Sequence, residues 1–160
     1  MKKKNILIAL VFLGLFTSCD KNQKVINKLD GSWNSTSFEK TSGANNLNLL
    51  DGYNFAEGEA GLWSSEVADV NNVRFDFTAC KLKSGNSCAY NVVAINSMNQ
   101  ETLNSNAFTV IDEGEDIRTI VAFSGGLDTI DFKIINLKKG EIELNWEYET
   151  QTYTMKMEKQ

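Results

Sequence analysis

Alternation constrains this chain more than any other feature of its sequence. From Glu141 to Glu149, Ile142, Leu144, Trp146 and Tyr148 take every second position, with Glu141, Glu143, Asn145, Glu147 and Glu149 between them. An extended chain with that pattern has one face for a core and one for water. The next run repeats it, with Tyr153, Met155 and Met157 against Thr152, Thr154, Lys156 and Glu158. Pairing Tyr148 with Tyr153 sets Trp146 opposite Met155 and Leu144 opposite Met157, so that both apolar faces agree. Upstream, Ile130, Phe132 and Ile134 alternate, and Lys138-Lys139-Gly140 supplies a tight turn. Further period-2 runs lie at Ile117 to Phe123, Val73 to Ala79 and Ala89 to Ile95, with shorter ones at Ser32 to Phe38, Gly61 to Val67 and Ala107 to Ile111. Gly, Asn, Asp and Ser separate them, and no 3.6-residue period is sustained. The expected fold is all-β, an antiparallel meander of about eight to ten strands. Closing into a barrel removes the exposed edges. The absence of proline fits a sheet whose backbone N–H groups are almost all used.

Lys2-Lys3-Lys4, an apolar run from Ile6 to Phe16, and Thr17-Ser18-Cys19 have the layout of a secretory signal. The apolar run is far too short for a bilayer core of about 30 Å. Phe16-Thr17-Ser18-Cys19 resembles the Leu-small-small-Cys site of bacterial lipoproteins, with Phe in place of Leu. That resemblance implies a signal peptide over 1–18 and an acylated Cys19 opening a tether over 19–28. It also implies attachment to a membrane of the bacterial envelope, the outer membrane by preference. One domain, 29–160, follows.

Loss of Lys2, Lys3 and Lys4 takes the net charge from -5 to -8, which argues against nucleic acid as a partner. The chain has no histidine, so Ser-His-Asp and Cys-His catalysis and most zinc sites are excluded. No cofactor and no metal is expected. In an oxidising compartment Cys80 and Cys88 fit a disulfide better than a metal or redox site. The outward parity of Cys80 would place such a bond on the outer face.

Gly31-Ser32-Trp33, opening the first strand, resembles the Gly-x-Trp of lipocalins and of lipocalin-like domains in Bacteroidetes lipoproteins. The resemblance spans roughly Leu29 to Lys159. It implies a lipocalin-like barrel closed at its base by Trp33, with a late arginine packed across the indole. The arginines here, Arg74 and Arg118, lie outside the last strand. It also implies a non-catalytic monomer that binds a small apolar or amphipathic ligand, for which Phe75, Phe77, Phe132, Trp146, Tyr148 and Tyr153 are the candidate lining residues. The alternative is an envelope interaction or inhibitor module acting through the loops Thr41 to Gly61 and Asn96 to Asn106. The first of these is long and carries Leu47, Leu49 and Leu50, as a lid over one end would.

Three motifs tempt other conclusions. Ser124-Gly125-Gly126-Leu127-Asp128-Thr129 looks like the phosphate loop of ATP pyrophosphatases, but Thr129 to Leu137 alternates as a strand where such a loop needs a helix. A Gly-Gly hairpin is the expectation. Asp112-Glu113-Gly114-Glu115-Asp116 lacks the alternate spacing of a calcium loop and reads as a solvated turn. Glu141, Glu143, Glu147 and Glu149 share the water face of one strand, unlike a glycosidase pair set across a cleft.

Overall fold

The structure, a computed structural model, describes residues 21–82, 86–123 and 125–160. The signal peptide over 1–18 and Cys19 lie outside the described residues.

Ten strands follow in sequence: β1 (Gly31–Ser42), β2 (Asn45–Asn48), β3 (Tyr53–Phe55), β4 (Val67–Thr78), β5 (Cys88–Asn96), β6 (Glu101–Ile111), β7 (Asp116–Phe123), β8 (Gly126–Lys138), β9 (Glu141–Tyr148) and β10 (Gln151–Lys159). From β4 to β10 each pairs antiparallel with the next, β10 pairs β1, and β1 pairs back to β4, closing an eight-stranded antiparallel barrel. Lipocalins share this up-and-down architecture. The short β2 and β3 are additions outside the ring.

The closure depends on a division of β1. Gly31 to Asn34 pair with Phe77 to Arg74 of β4, while Glu39 to Ser42 pair with Asn48 to Asn45 of β2. Between them a bulge interrupts the ladder with β10 at Ser35/Ser37. There the Ser35 hydroxyl accepts the backbone N–H of Val73 at 2.9 Å and donates to Asn72 Oδ1 at 3.0 Å. A side-chain oxygen thus serves a donor that the departing strand leaves behind.

Inward-facing positions fill the interior with aromatic and aliphatic side chains, including Trp33, Phe38, Phe75, Tyr90, Phe108, Phe132, Trp146 and Tyr153. Burial of one such ring contributes roughly 2–3 kcal/mol.

Several expectations need correction. The β9–β10 register is Trp146 with Tyr153 and Leu144 with Met155, two residues from the expected pairing. A shift of two keeps every side chain on its face, so the apolar pattern cannot choose between registers. The turn chooses: Glu149, at a left-handed φ of 55°, permits a two-residue connection. Gly61 to Val67 is not a strand but an irregular segment leading into β4. Asn96 to Asn106 is mostly strand, because β6 begins at Glu101. Residues 21–29 form a helix where a tether was expected.

That helix lies across one end of the barrel. Ile26 and Leu29 are fully buried. The Gln23 side chain bridges to Cys80 O and from Leu82 N–H, both at 2.9 Å. The Cys80–Cys88 disulfide forms, with the Cα atoms 5.4 Å apart, but it joins the core and not the outer face. Strand β4 ends at Thr78, so parity no longer fixes the direction of Cys80.

Candidate ligand site beneath the lid

Five of the six candidate lining residues make one continuous file of rings. Tyr153 stacks on Trp146 with centroids 5.5 Å apart, Trp146 meets Phe132 at 4.9 Å, Phe132 meets Phe75 at 6.3 Å, and Phe75 meets Phe77 at 5.8 Å. Their strands β10, β9, β8 and β4 run round the barrel wall, and period-2 geometry turns each ring inward. Tyr148 stands apart. It is half-buried on the rim, against Phe123 at 6.3 Å.

The segment between β1 and β4 covers the file as a lid. Its Leu49, Phe55, Ala60, Leu62 and Trp63 are buried. Phe55 stacks on Phe38 at 5.7 Å and touches Trp63 at 5.5 Å. Backbone contacts seat it: Trp146 Nε1–H donates to Ala60 O at 2.9 Å, and Asn104 Nδ2 donates to Leu62 O at 2.7 Å. Gly61 makes the approach possible. Its φ is 66°, and a Cβ there would lie 1.9 Å from Ile130 Cδ1, so any side chain would force the lid away from the wall.

One polar group latches the lid. Glu59, in the 3-10 turn Glu59–Gly61, accepts from Lys40 Nζ at 2.6 Å and from the Tyr53 hydroxyl at 2.7 Å through Oε1, and from the Ala56 N–H at 3.2 Å through Oε2. Burial pushes the Glu59 carboxyl up, but these donors overcome it and hold the group below its ordinary value. Burial, followed by the hydrogen bond to Glu59, pushes the Tyr53 hydroxyl up. For Lys40, burial opposes and the Glu59 partner outweighs it, leaving the ammonium above its ordinary value.

Among the polar side-chain atoms buried without a hydrogen-bond partner are Trp63 Nε1 of the lid and, in the barrel wall, the Tyr90 hydroxyl and Asn106 Nδ2. Tyr90 and Asn106 face each other across the β5–β6 ladder. The Tyr90 hydroxyl lies beside Thr119 and Asn106, and burial outweighs the opposing influence of both and pushes its proton affinity up. Rings of Phe75, Phe77 and Phe108 surround it, with centroids at 5.9, 5.6 and 6.0 Å. Unpaired buried donors of this kind cost about 1–3 kcal/mol each. The interior is therefore apolar and π-rich, with buried N–H and O–H donors on Trp63, Tyr90 and Asn106.

Sequence reasoning overlooked Asn104, Asn106, Tyr90, Trp63 and the Glu59 latch. The asparagines resemble loop residues in the chain, yet both sit in β6. A signal was present: Asn104 and Asn106 share the parity of Phe108 and Val110.

The opposite end holds Trp33, buried as expected, with its Nε1–H donating to Leu29 O at 2.6 Å. Where the resemblance places an arginine, Lys159 of the last strand sets its Nζ over the indole, 5.3 Å from the centroid.

The tempting motifs resolve as turns and strands. Phe123 pairs with Gly126, so the Gly-Gly pair sits at a hairpin, and Asp128 and Thr129 belong to β8. Ser124 lies outside the described residues. Asp112–Gly114 is a 3-10 turn between β6 and β7, tied to the helix by the Lys21–Glu113 ion pair. Among the described residues no group of three or more His, Cys, Asp or Glu is placed to hold a metal ion.

No family model and no curated protein matches the chain. Among solved structures, a lipocalin-like protein from Bacteroides uniformis is similar at 14% identity and TM-score 0.44, covering 83% of this chain and 99% of that one. A de novo designed fluorescence-activating β-barrel is similar at 9% identity and TM-score 0.44, covering 85% of this chain and 97% of that one. Both are too distant to bear on function, and the closed barrel rests on its own ladder of strand pairs.

Proposed function

We propose that the protein is a non-catalytic, envelope-anchored carrier whose barrel takes a small apolar or amphipathic molecule beneath its lid. Signal cleavage after residue 18 and acylation of Cys19 would hold it, as a monomer, on a bacterial membrane, the outer one by preference. The observation that carries this proposal is the set of buried donors on Trp63, Tyr90 and Asn106 within a largely apolar interior. A ligand with an apolar body and a carbonyl, ester or carboxylate oxygen would satisfy them. Entry requires the lid to lift, because Phe55 and Trp63 of the lid are buried in the core.

Native mass spectrometry of protein purified from its own membrane tests the proposal, with a one-to-one ligand mass as the expected result. In parallel, an aromatic fluorophore bearing a carboxylate should bind saturably and quench tryptophan emission. Tyr90→Phe with Asn106→Leu should weaken that fluorophore about tenfold or more, while leaving a hydrocarbon probe nearly unchanged. An empty mass spectrum with no saturable quenching, even when Glu59→Gln loosens the lid, would sink it.

A second function, docking of an envelope protein, draws on a different surface. Leu103, Ile120 and Leu127 are 57%, 45% and 76% exposed on β6, β7 and β8. Ala122 pairs with Leu127, extending an uncharged outer face beside the lid end. Affinity capture of one stoichiometric partner, lost on Ile120→Lys with Leu127→Lys, would favour it.

A further inference from the structure

The end away from the lid carries a cleft of about 350 Å³ in which four lysines converge. Lys28 comes from the helix, Lys138 and Lys139 from the β8–β9 turn, and Lys159 from the end of β10, with Asn27 on the wall and Trp33 as the floor. Three separate stretches of chain are needed to bring them together. Elsewhere five cations, Lys21, Lys40, Arg74, Arg118 and Lys156, sit in ion pairs with carboxylates. Among the described residues none of the four cleft lysines is so paired, although acidic residues outnumber basic ones 21 to 16 in the whole chain. Like charges gathered without counterions repel, and an anion held among them relieves that cost.

We propose that this cleft binds the phosphate of an anionic phospholipid headgroup. Lysines suit a phosphate as mobile point charges, and each one near an anionic bilayer strengthens attachment about fivefold. The choice of a lipid over free phosphate rests on the anchoring proposed above. The helix that lines the cleft is the first described segment after Cys19, so a membrane-held N-terminus brings the bilayer to this end. The protein then stands on its lysines with the lid facing away from the membrane.

Lysine acetylation read by mass spectrometry, residue by residue, tests the site on the whole protein. Dihexanoyl phosphatidylglycerol, kept below its micelle concentration, should protect Lys28, Lys138, Lys139 and Lys159 but not Lys133 or Lys156. Dihexanoyl phosphatidylcholine and inorganic phosphate at the same concentration should not. Lys138→Gln with Lys139→Gln should weaken protection of the remaining pair about twenty-five-fold, following the per-lysine factor. Lys133→Gln with Lys156→Gln, an equal change in net charge, should leave it within about twofold. Equal protection by both lipids, equal protection by inorganic phosphate, or equal loss in the two double variants would each overturn the assignment. The intact mass of membrane-purified protein reports the acyl chains separately, so an unacylated Cys19 is distinguishable from an empty cleft.

Discussion

The two ends of the barrel are shut by the same bond and differ in everything around it. At each, a wall tryptophan donates its indole N–H to a carbonyl of a covering segment: Trp33 to Leu29 at the helix end, Trp146 to Ala60 at the lid end. The helix end adds regular hydrogen bonding, fully buried Ile26 and Leu29, and a covalent tie between Cys80 and Cys88. The lid end adds a turn with Gly58, Ala60 and Gly61 at positive φ and a carboxylate latch. A helix and a disulfide resist opening, whereas a lid built on a strained turn and a carboxylate latch, although its rings are buried, is the less rigid end. The same closing bond therefore makes a fixed base at one end and, in the proposed function, a door at the other.

The sharpest way to break this comparison is Trp33→Ala, which should cost about 3–5 kcal/mol of global stability, read as a lower denaturant midpoint. A loss under about 1 kcal/mol would mean that the base is not the fixed end. Next, Cys80→Ala with Cys88→Ala should cost about 2.5 kcal/mol, since the bridge closes a short loop; retention of the full midpoint would remove the disulfide from the base. Gly61→Ala should cost about 2 kcal/mol, through its left-handed φ and the contact with Ile130. That loss should stay local, with fast amide exchange over 49–63 and protection kept in β5 to β8. Uniform loss of protection would make lid and base one cooperative unit. The smallest effect belongs to Glu59→Gln, about 1 kcal/mol of lid closure, seen as increased quenching of tryptophan emission by acrylamide.

The latch also sets a pH dependence. The Glu59 carboxyl is held below its ordinary value of 4.5 when the lid is shut. Its contribution is therefore full above that value and fades as pH falls through the lower, closed-lid value. Acidification below about 4 should raise acrylamide access to Trp63 in the native protein and change it little in Glu59→Gln. A rise at neutral pH, or an identical rise in the variant, would take Glu59 out of the latch.

Legibility in the sequence also divided by end. The walls were plain, because Ile142, Leu144 and Trp146 alternate against glutamates and only an extended, one-sided burial explains that. Trp33 and the Cys80–Cys88 pair were also within reach, being single residues with few roles open to them. The lid was visible as a long loop but not as a plug, since Phe55, Trp63 and Glu59 are spaced by turn geometry and obey neither period. Asn104 and Asn106 misled for a physical reason: a strand that serves a lid carries inward polar groups, so it sheds the apolar alternation that identifies strands. The helix over 21–29 hid behind its lysines, with Val25, Ile26 and Leu29 marking the face that docks.

The bulge at Ser35 has a consequence for how such a molecule can vary. Because one hydroxyl takes over the Val73 amide, β1 can part from β4 and run on between β10 and β2 with its hydrogen bonding intact. Everything between Ser42 and Val67 then hangs from a splice outside the ring's own ladder of strands. It behaves as an exchangeable cassette, free to change length and lining while the eight-stranded frame and its base stay the same.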